Sequence, residues 1–419
     1  MKKILYIQDT LANKISYYHI LLFLIYLPFD RFYSELLLIS FTLHTFLHIR
    51  KHPFTPGRIK QMLLLQSVFI LSVLGLAYTS NRQEALELCE RQLAIALFPL
   101  LLCLTKLDIR KYKDHFLTTF AITCVIAMLY LYADAFHIIV YNKLPLQRIF
   151  TRAFLNHNFS DAIEMHATYF AMYAFVSLVI VWSLFVQATC ITVKVFCGLG
   201  MLILFAGLVQ LASKAAFVAL LICLYFLFPL FIQNTRKRIQ FILTGIGLSV
   251  ILLVFICGMP DLKERFITEF RDDIQQAPNS AIAEPRIERW AIAVQLIKQS
   301  PVVGHGTAAE NLLLKDAYFN RKMYVSFLMG LNTHDQYLSI AINHGIVGLL
   351  VFLFTLYVGF QVAIQKKDRI FLCFMVLLFV VSLSENILNL NKGIFFYAFF
   401  FSLFLMTSVQ STNYEVQST

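Results

Sequence analysis

Apolar runs of membrane-crossing length, separated by short polar connectors, occupy most of the chain. A helix needs about 20 largely apolar residues to cross the hydrocarbon of a bilayer, because every backbone N–H and C=O there must be paired inside the protein. About a dozen stretches meet this need, at roughly 16–29, 32–48, 60–78, 85–105, 115–138, 166–187, 191–210, 213–232, 239–258, 335–363, 369–385 and 393–409. The pattern predicts an all-α fold, a polytopic membrane bundle of about 12 transmembrane helices.

One segment interrupts it. From Met259 to about Thr333 the chain turns mixed and polar. This divides it into a transmembrane part of about nine helices at 1–258, a large loop at 259–334, further transmembrane helices at 335–409 and a tail at 410–419. Loops of that length usually carry function or are disordered, and this one has the marks of folded structure. Pro285 suits the first residue of a helix and Ser300-Pro301 its end. Between them Ile287, Trp290, Ala291, Val294 and Ile297 recur at helical spacing as one apolar stripe, with Arg286 and Arg289 on another side. Such a helix is expected on the membrane surface, apolar face down and both guanidinium groups accessible.

Composition and charge fix the orientation. The chain is 59% hydrophobic and 14% charged, against about half and a quarter in soluble proteins. The net charge of +11 does not point to nucleic acid, because the basic residues lie in short loops after every second span. These clusters are Lys2, Lys3 and Lys14; Arg50, Lys51, Arg58 and Lys60; Lys106, Arg110, Lys111 and Lys113; Arg236, Lys237 and Arg238; and Lys366, Lys367 and Arg369, with Lys194 a weaker member. Positive charge favours the cytoplasmic side, so both termini are expected there and the long loop outside. The eight cysteines fall in or beside apolar spans with no Cys-x-x-Cys pair, which predicts buried thiols rather than disulfides or a metal site. No small-residue cleavage site follows the first span, which is expected to stay as an anchor.

Three outward features could carry chemistry. Ser213-Lys214 lies at the outer end of a span, where an ammonium can pair with a diphosphate, or simply reach to water. Arg286 and Arg289, three apart on one helix, can each donate two parallel hydrogen bonds to phosphate; the alternative is a solvated amphipathic face. In Asn332-Thr333-His334-Asp335-Gln336, Thr333 and Gln336 match a capping box, which would set His334 in the first turn of a membrane helix. The helix dipole there disfavours imidazolium, so a neutral His334 could take a proton from a sugar hydroxyl, or only pack at the interface. His305, His334 and His344 match no compact metal-ligand spacing, and no metal is expected. Glu90-Arg91 and Glu385 are ionisable residues at membrane depth and should face a partner or a cavity; Glu385 is expected to hold Lys392 or an arginine. The outward segment 139–165, with Arg152, His157, Asp161 and Glu164 and with His166 just after it, could roof the same cavity.

Taken in order, several strings resemble the O-antigen ligase and O-antigen polymerase superfamily over roughly residues 60–400. They are Tyr78-Thr79-Ser80-Asn81, Phe98-Pro99-Leu100, Ser213-Lys214, Arg286 ahead of Trp290, Ser300-Pro301-Val302-Val303-Gly304-His305-Gly306, Asn332 to Leu338, and Gly345-Ile346-Val347-Gly348-Leu349. The resemblance implies a metal-independent, inverting glycosyl transfer at the periplasmic face of the bacterial inner membrane, with no cofactor. The donor would be a glycan on a polyprenyl diphosphate such as undecaprenyl diphosphate, and the acceptor lipid A core or a related glycolipid. Carried over, Arg286 and His334 would be catalytic, the first on the diphosphate and the second as base or acceptor-positioning group. Lys214 would stand where the family commonly has arginine, with Ser213, Arg289 and Asp335 as substrate-binding neighbours. Lysine cannot make the bidentate fork, and Asp335 replaces a common asparagine. No Gly-rich phosphate loop marks a nucleotide-sugar site. The alternatives are a polymerase extending lipid-linked repeat units, a protein-glycosylating relative, and a transporter of the lipid-linked glycan. Transporters often show repeated halves and interrupted helices, whereas here no internal repeat is found, the charges gather outside and the single long loop is asymmetric.

Overall fold

The computed structural model describes residues 6–29, 31–51, 54–274 and 284–408. Lys2, Lys3, the loop stretch 275–283 and the tail 410–419 lie outside the described residues. Every predicted apolar stretch is helical: α1 (Leu11–Tyr26), α2 (Arg31–Leu47), α3 (Pro56–Gly75), α4 (Arg82–Leu104), α5 (Ile109–Tyr141), α6 (Ala167–Gln187), α7 (Ile191–Leu211), α8 (Lys214–Ile222) and α9 (Thr235–Gly258). The long loop adds α10 (Arg286–Gln299) and α11 (Ala309–Asn320), followed by α12 (Gln336–Gln365), α13 (Arg369–Val381) and α14 (Asn391–Ser408). Among the described residues there is no strand, only an isolated bridge between Ile49 and Thr105.

Among the described residues seven helices are long and apolar enough to cross a membrane: α3, α5, α6, α7, α8 with its continuation to Phe231, α9 and α12. This is fewer than the sequence pattern predicts. At 16 and 13 residues α1 and α13 are short, and α4 carries Glu84, Glu87, Glu90 and Arg91 in its first half. The 33 residues of α5 extend about 50 Å, well past a hydrocarbon core of about 30 Å.

Aromatic packing holds the centre. Phe371, Phe374, Phe396, Phe400 and Phe404 of α13 and α14 interlock with Phe120 of α5 and Tyr173 of α6, with ring centroids 4.6–6.4 Å apart. Basic clusters gather at one end of this bundle. Arg50 N donates to Leu104 O at 2.9 Å, Lys113 pairs with Asp368 at 2.5 Å, and Arg369 lies 4.7 Å from the Phe231 ring. Arg50, Arg58 and Arg110 line one small cavity there.

The loop helices are where the sequence pattern predicts them, but α10 turns differently. Its buried face is Arg289, Ile292, Ala293 and Leu296, packed with Leu314, Tyr318 and Ile342, while Ile287, Ala291 and Val294 are exposed. Arg289 is only 5% exposed, which corrects the expectation of an accessible guanidinium. The apolar residues missing from the predicted stripe, Ile292 and Leu296, draw the helix onto α11 and α12, and Arg289 goes in with them.

The largest departure from a simple bundle is inside α12. Gly345 has φ 61° and ψ −159°, which interrupts the helix. A break at membrane depth exposes backbone groups that must be paired elsewhere, and residues 301–306 supply the partners. His305 N donates to Ile342 O at 2.9 Å and Gly306 N to Asn343 O at 2.8 Å; Ile346 N donates to Pro301 O at 2.9 Å and Val347 N to Val302 O at 3.3 Å. Only glycine fits here, because a Cβ on Gly345 would lie 2.3 Å from Val302 O, and one on Gly304 2.5 Å from the Asn343 backbone. Tyr78 and Thr79 tie the same loop down through Val303 O and Thr307 O, at 2.7 and 2.8 Å. Strings far apart in the sequence are thus the halves of one junction.

Cysteines do not all behave as expected. Cys89, Cys103, Cys124, Cys223 and Cys373 are buried free thiols, but Cys190 and Cys257 are exposed.

Candidate active site

Away from the basic end, a cavity of about 210 Å³ opens between α4, α6, α11, α12 and the loop joining α13 to α14. His334, Glu385, His166, Arg91, Glu310 and Asn332 are in its wall. The junction at Gly345 forms its floor, since Asn343 and Ala308 also line it.

The segment carrying His334 is held from below by Glu310, which is 2% exposed. Its carboxylate accepts from Thr333 N at 3.0 Å, from Thr333 Oγ1 at 2.7 Å, from Asn386 Nδ2 at 3.3 Å and from Ser339 Oγ. From α10, Arg289 Nη1 donates to Asn332 O at 3.2 Å and Trp290 Nε1 to Thr333 O at 2.9 Å. These bonds fix the backbone so tightly that His334 adopts φ 47°, a left-handed value that non-glycine residues hold only when their surroundings impose it.

Consequently the expected capping box does not form. Thr333 turns to the buried Glu310, and Asp335 is the cap of α12, its Oδ1 accepting from Leu338 N at 2.9 Å. His334 stands outside the helix rather than in its first turn, so the helix dipole is not what conditions it. Its partner is Glu385: His334 Nδ1 lies 3.5 Å from Glu385 Oε2, and Thr168 Oγ1 donates to Glu385 Oε1 at 3.2 Å. Burial by itself raises the Glu385 pKa, but the His334 contact and the charges of His166, His334 and Arg286 outweigh it and hold the carboxyl below its usual range. An ionised carboxylate on Nδ1 fixes the imidazole tautomer and leaves Nε2 as the basic nitrogen. Glu385 therefore serves His334 with the charge of Arg286, one of its two expected partners, close by, whereas Lys392, the other, donates to Leu27 O at 2.8 Å.

Cations surround this pair unevenly. Arg286, half-buried, donates from Nη1 to Ser384 O at 3.4 Å, beside Glu385. Burial pushes the neighbouring Asp335 carboxyl up to about 6, although backbone N–H groups and the Arg286 charge oppose the shift. Ser213 is buried at the cap of α8, and Lys214 Nζ lies 3.8 Å from Glu269, which also binds Arg265. Neither Ser213 nor Lys214 lines the His334 cavity. Arg265 comes near enough to His157 and His166 to lower the pKa of each further, after burial, which is the main cause and takes His157 to about 4. The structure thus brings Arg286, Arg289, His334 and Asp335 to one corner and sets Lys214 in a separate cluster joined to it through Arg265. Segment 139–165 lies alongside: His157 packs edge-on against His166 with ring centroids 4.1 Å apart. Of the other histidines, His305 Nε2 bonds to Leu296 O at 2.9 Å and His344 is buried; among the described residues no group of three or more His, Cys, Asp or Glu could hold a metal.

Residues 199–353 match the family model described as O-antigen ligase. Over this segment the chain is similar to O-antigen ligases. The match covers less than half of the chain, and the apolar helices mark a multi-pass membrane protein. No curated protein matches the chain. The matched segment spans Ser213, Lys214, Arg286, Arg289, Glu310, His334 and Asp335, together with both halves of the Gly345 junction. Glu385, His166 and Arg91 complete the cavity from outside it. Sequence reading misses Glu310 and Arg265, as nothing in the spacing of a lone acid or a lone arginine in a polar loop signals burial or proximity.

Proposed function

We propose that this protein is an O-antigen ligase-type glycosyltransferase. It moves a polysaccharide from an undecaprenyl-diphosphate carrier to lipid A core or a related glycolipid acceptor, at the periplasmic face of the inner membrane. One observation carries the reading: the His334–Glu385 pair stands in the wall of a polar cavity with Arg286 beside it.

In this mechanism Glu385 holds the His334 Nδ1 proton and Nε2 accepts the proton of the acceptor hydroxyl. The hydroxyl oxygen attacks the anomeric carbon from the face opposite the leaving group, so configuration inverts. The bond from that carbon to the diphosphate oxygen breaks, and its electron pair stays on the diphosphate. Arg286 stabilises the charge as it develops, which favours the transition state over the bound donor. Lys214 and Arg265, bound to Glu269, are a reserve of positive charge for the remaining phosphate, with Arg289 fixing the loop and Asp335 ending it as the cap of α12. The transporter reading could draw on the break at Gly345, but the freed backbone groups there are taken up by residues 301–306.

The test is transfer of glycan from purified lipid-linked donor to acceptor. His334→Ala should abolish it with the protein still in the membrane, and normal transfer removes His334 from the mechanism. A deletion strain distinguishes the neighbouring activity: unlinked long polymer marks a ligase, and acceptor bearing one repeat unit marks a polymerase.

A further inference from the structure

A second cavity, of about 420 Å³, opens between α2, α4 and α14 and shares Arg91 with the His334 cavity. Glu87, Glu90 and Arg91 of α4 face it together with Glu35 of α2 and Asn391 of α14. Helical spacing continues that face of α4 into Ala94 and Leu97, so the polar part gives way to an apolar one along the helix. The start of α4 is at the His334 cavity and its end, Leu104, meets Arg50 in the basic cluster. The carboxylates therefore lie roughly one to three turns below the outer end of the helix.

Ionisable side chains at such a depth normally pair with each other or face a ligand path. Here neither Glu90 nor Arg91 forms an ion pair among the described residues; Arg91 Nε donates to the Glu87 carbonyl at 3.3 Å, which leaves its terminal N–H groups for another acceptor. Asn391 supplies an independent sign. It is 8% exposed, its Nδ2 donates to Glu35 at 2.5 Å, and its Oδ1 has no donor. An orphaned acceptor among carboxylates calls for a cationic N–H donor, an uncommitted guanidinium calls for an anion, and the apolar continuation calls for hydrocarbon.

We infer that this groove binds a phospholipid whose headgroup joins a phosphate to a primary ammonium, as in phosphatidylethanolamine. The phosphate meets Arg91, the ammonium meets Glu87, Glu90 and the Glu35–Asn391 pair, and the acyl chains follow Ala94 and Leu97. A quaternary ammonium is recognised by a cage of aromatic rings, and among the described residues Phe395 is the one ring in this wall. An anionic headgroup without an amine is repelled by the carboxylates.

The test is lipid recognition by the full-length protein, independent of glycan transfer. Delipidated protein in detergent is titrated with short-chain phosphatidylethanolamine, phosphatidylglycerol or phosphatidylcholine while Tm is followed. The ethanolamine lipid should raise Tm saturably, with the other two at least tenfold weaker. Glu87→Gln with Glu90→Gln should weaken the ethanolamine lipid at least tenfold and strengthen phosphatidylglycerol, whose repulsion by the two carboxylates is removed. Equal or stronger stabilisation by phosphatidylglycerol overturns the proposal, as does equal stabilisation by phosphatidylcholine or an unaltered response in the double variant. If that variant does not fold, the headgroup series on the unaltered protein decides.

Discussion

Replacing Asp335 by Asn separates the structural part of the His334 loop from its chemistry. Burial raises the Asp335 carboxyl from 3.8 to about 6, a shift of about two units or roughly 3 kcal/mol at 1.36 kcal/mol per unit. Between pH 4 and 6 the unfolded chain gives up this proton while the folded protein keeps it. The unfolded state then binds fewer protons, so stability falls with rising pH and levels off above about 6. Asparagine caps a helix as well as aspartate does and can still accept from Leu338 N without a buried charge. Asp335→Asn should therefore gain up to about 3 kcal/mol at pH 7 and little at pH 4. Thermal melts from pH 4 to 8 in one detergent measure this: the unaltered protein should lose Tm between pH 4 and 6 relative to the variant. A variant less stable at pH 7, or two parallel pH profiles, would refute the argument and mean that a nearby cation such as Arg286 compensates the carboxylate.

Other expectations follow from the same geometry. Glu385→Gln removes the charge that fixes the His334 tautomer and should lower kcat about 10²- to 10⁴-fold with little change in donor KM; an unchanged kcat would leave Glu385 a packing residue. Glu310→Ala strands the donors on Thr333, Ser339 and Asn386, at about 1–3 kcal/mol for each buried group, and a Tm within a degree of the unaltered protein would contradict that. Gly345→Ala forces a Cβ against Val302 O at positive φ, costing at least about 1–3 kcal/mol, read as lower Tm and earlier proteolysis between α10 and α12. Arg286→Lys keeps the charge but loses the fork, and should raise donor KM about tenfold; unchanged kinetics would take Arg286 off the diphosphate.

Hydrophobic run length determined the helical class and the order of elements, because a backbone in hydrocarbon has no choice but to pair with itself. Pro285 and Ser300-Pro301 marked the ends of α10, and the basic loops marked one end of the bundle, since charge and proline act locally. The short strings around Tyr78, Gly304, His334 and Gly345 were visible as well, but not that they are one structure. Tertiary structure alone decided that Arg289 is buried, because the face a helix hides depends on the partner it meets. It also decided that His334 leaves the helix, as Glu310 competes for Thr333 from 23 residues away. Glu385, Arg91 and Asn391 take their roles from side chains that the fold brings together across many helices, and no spacing in one dimension carries that proximity.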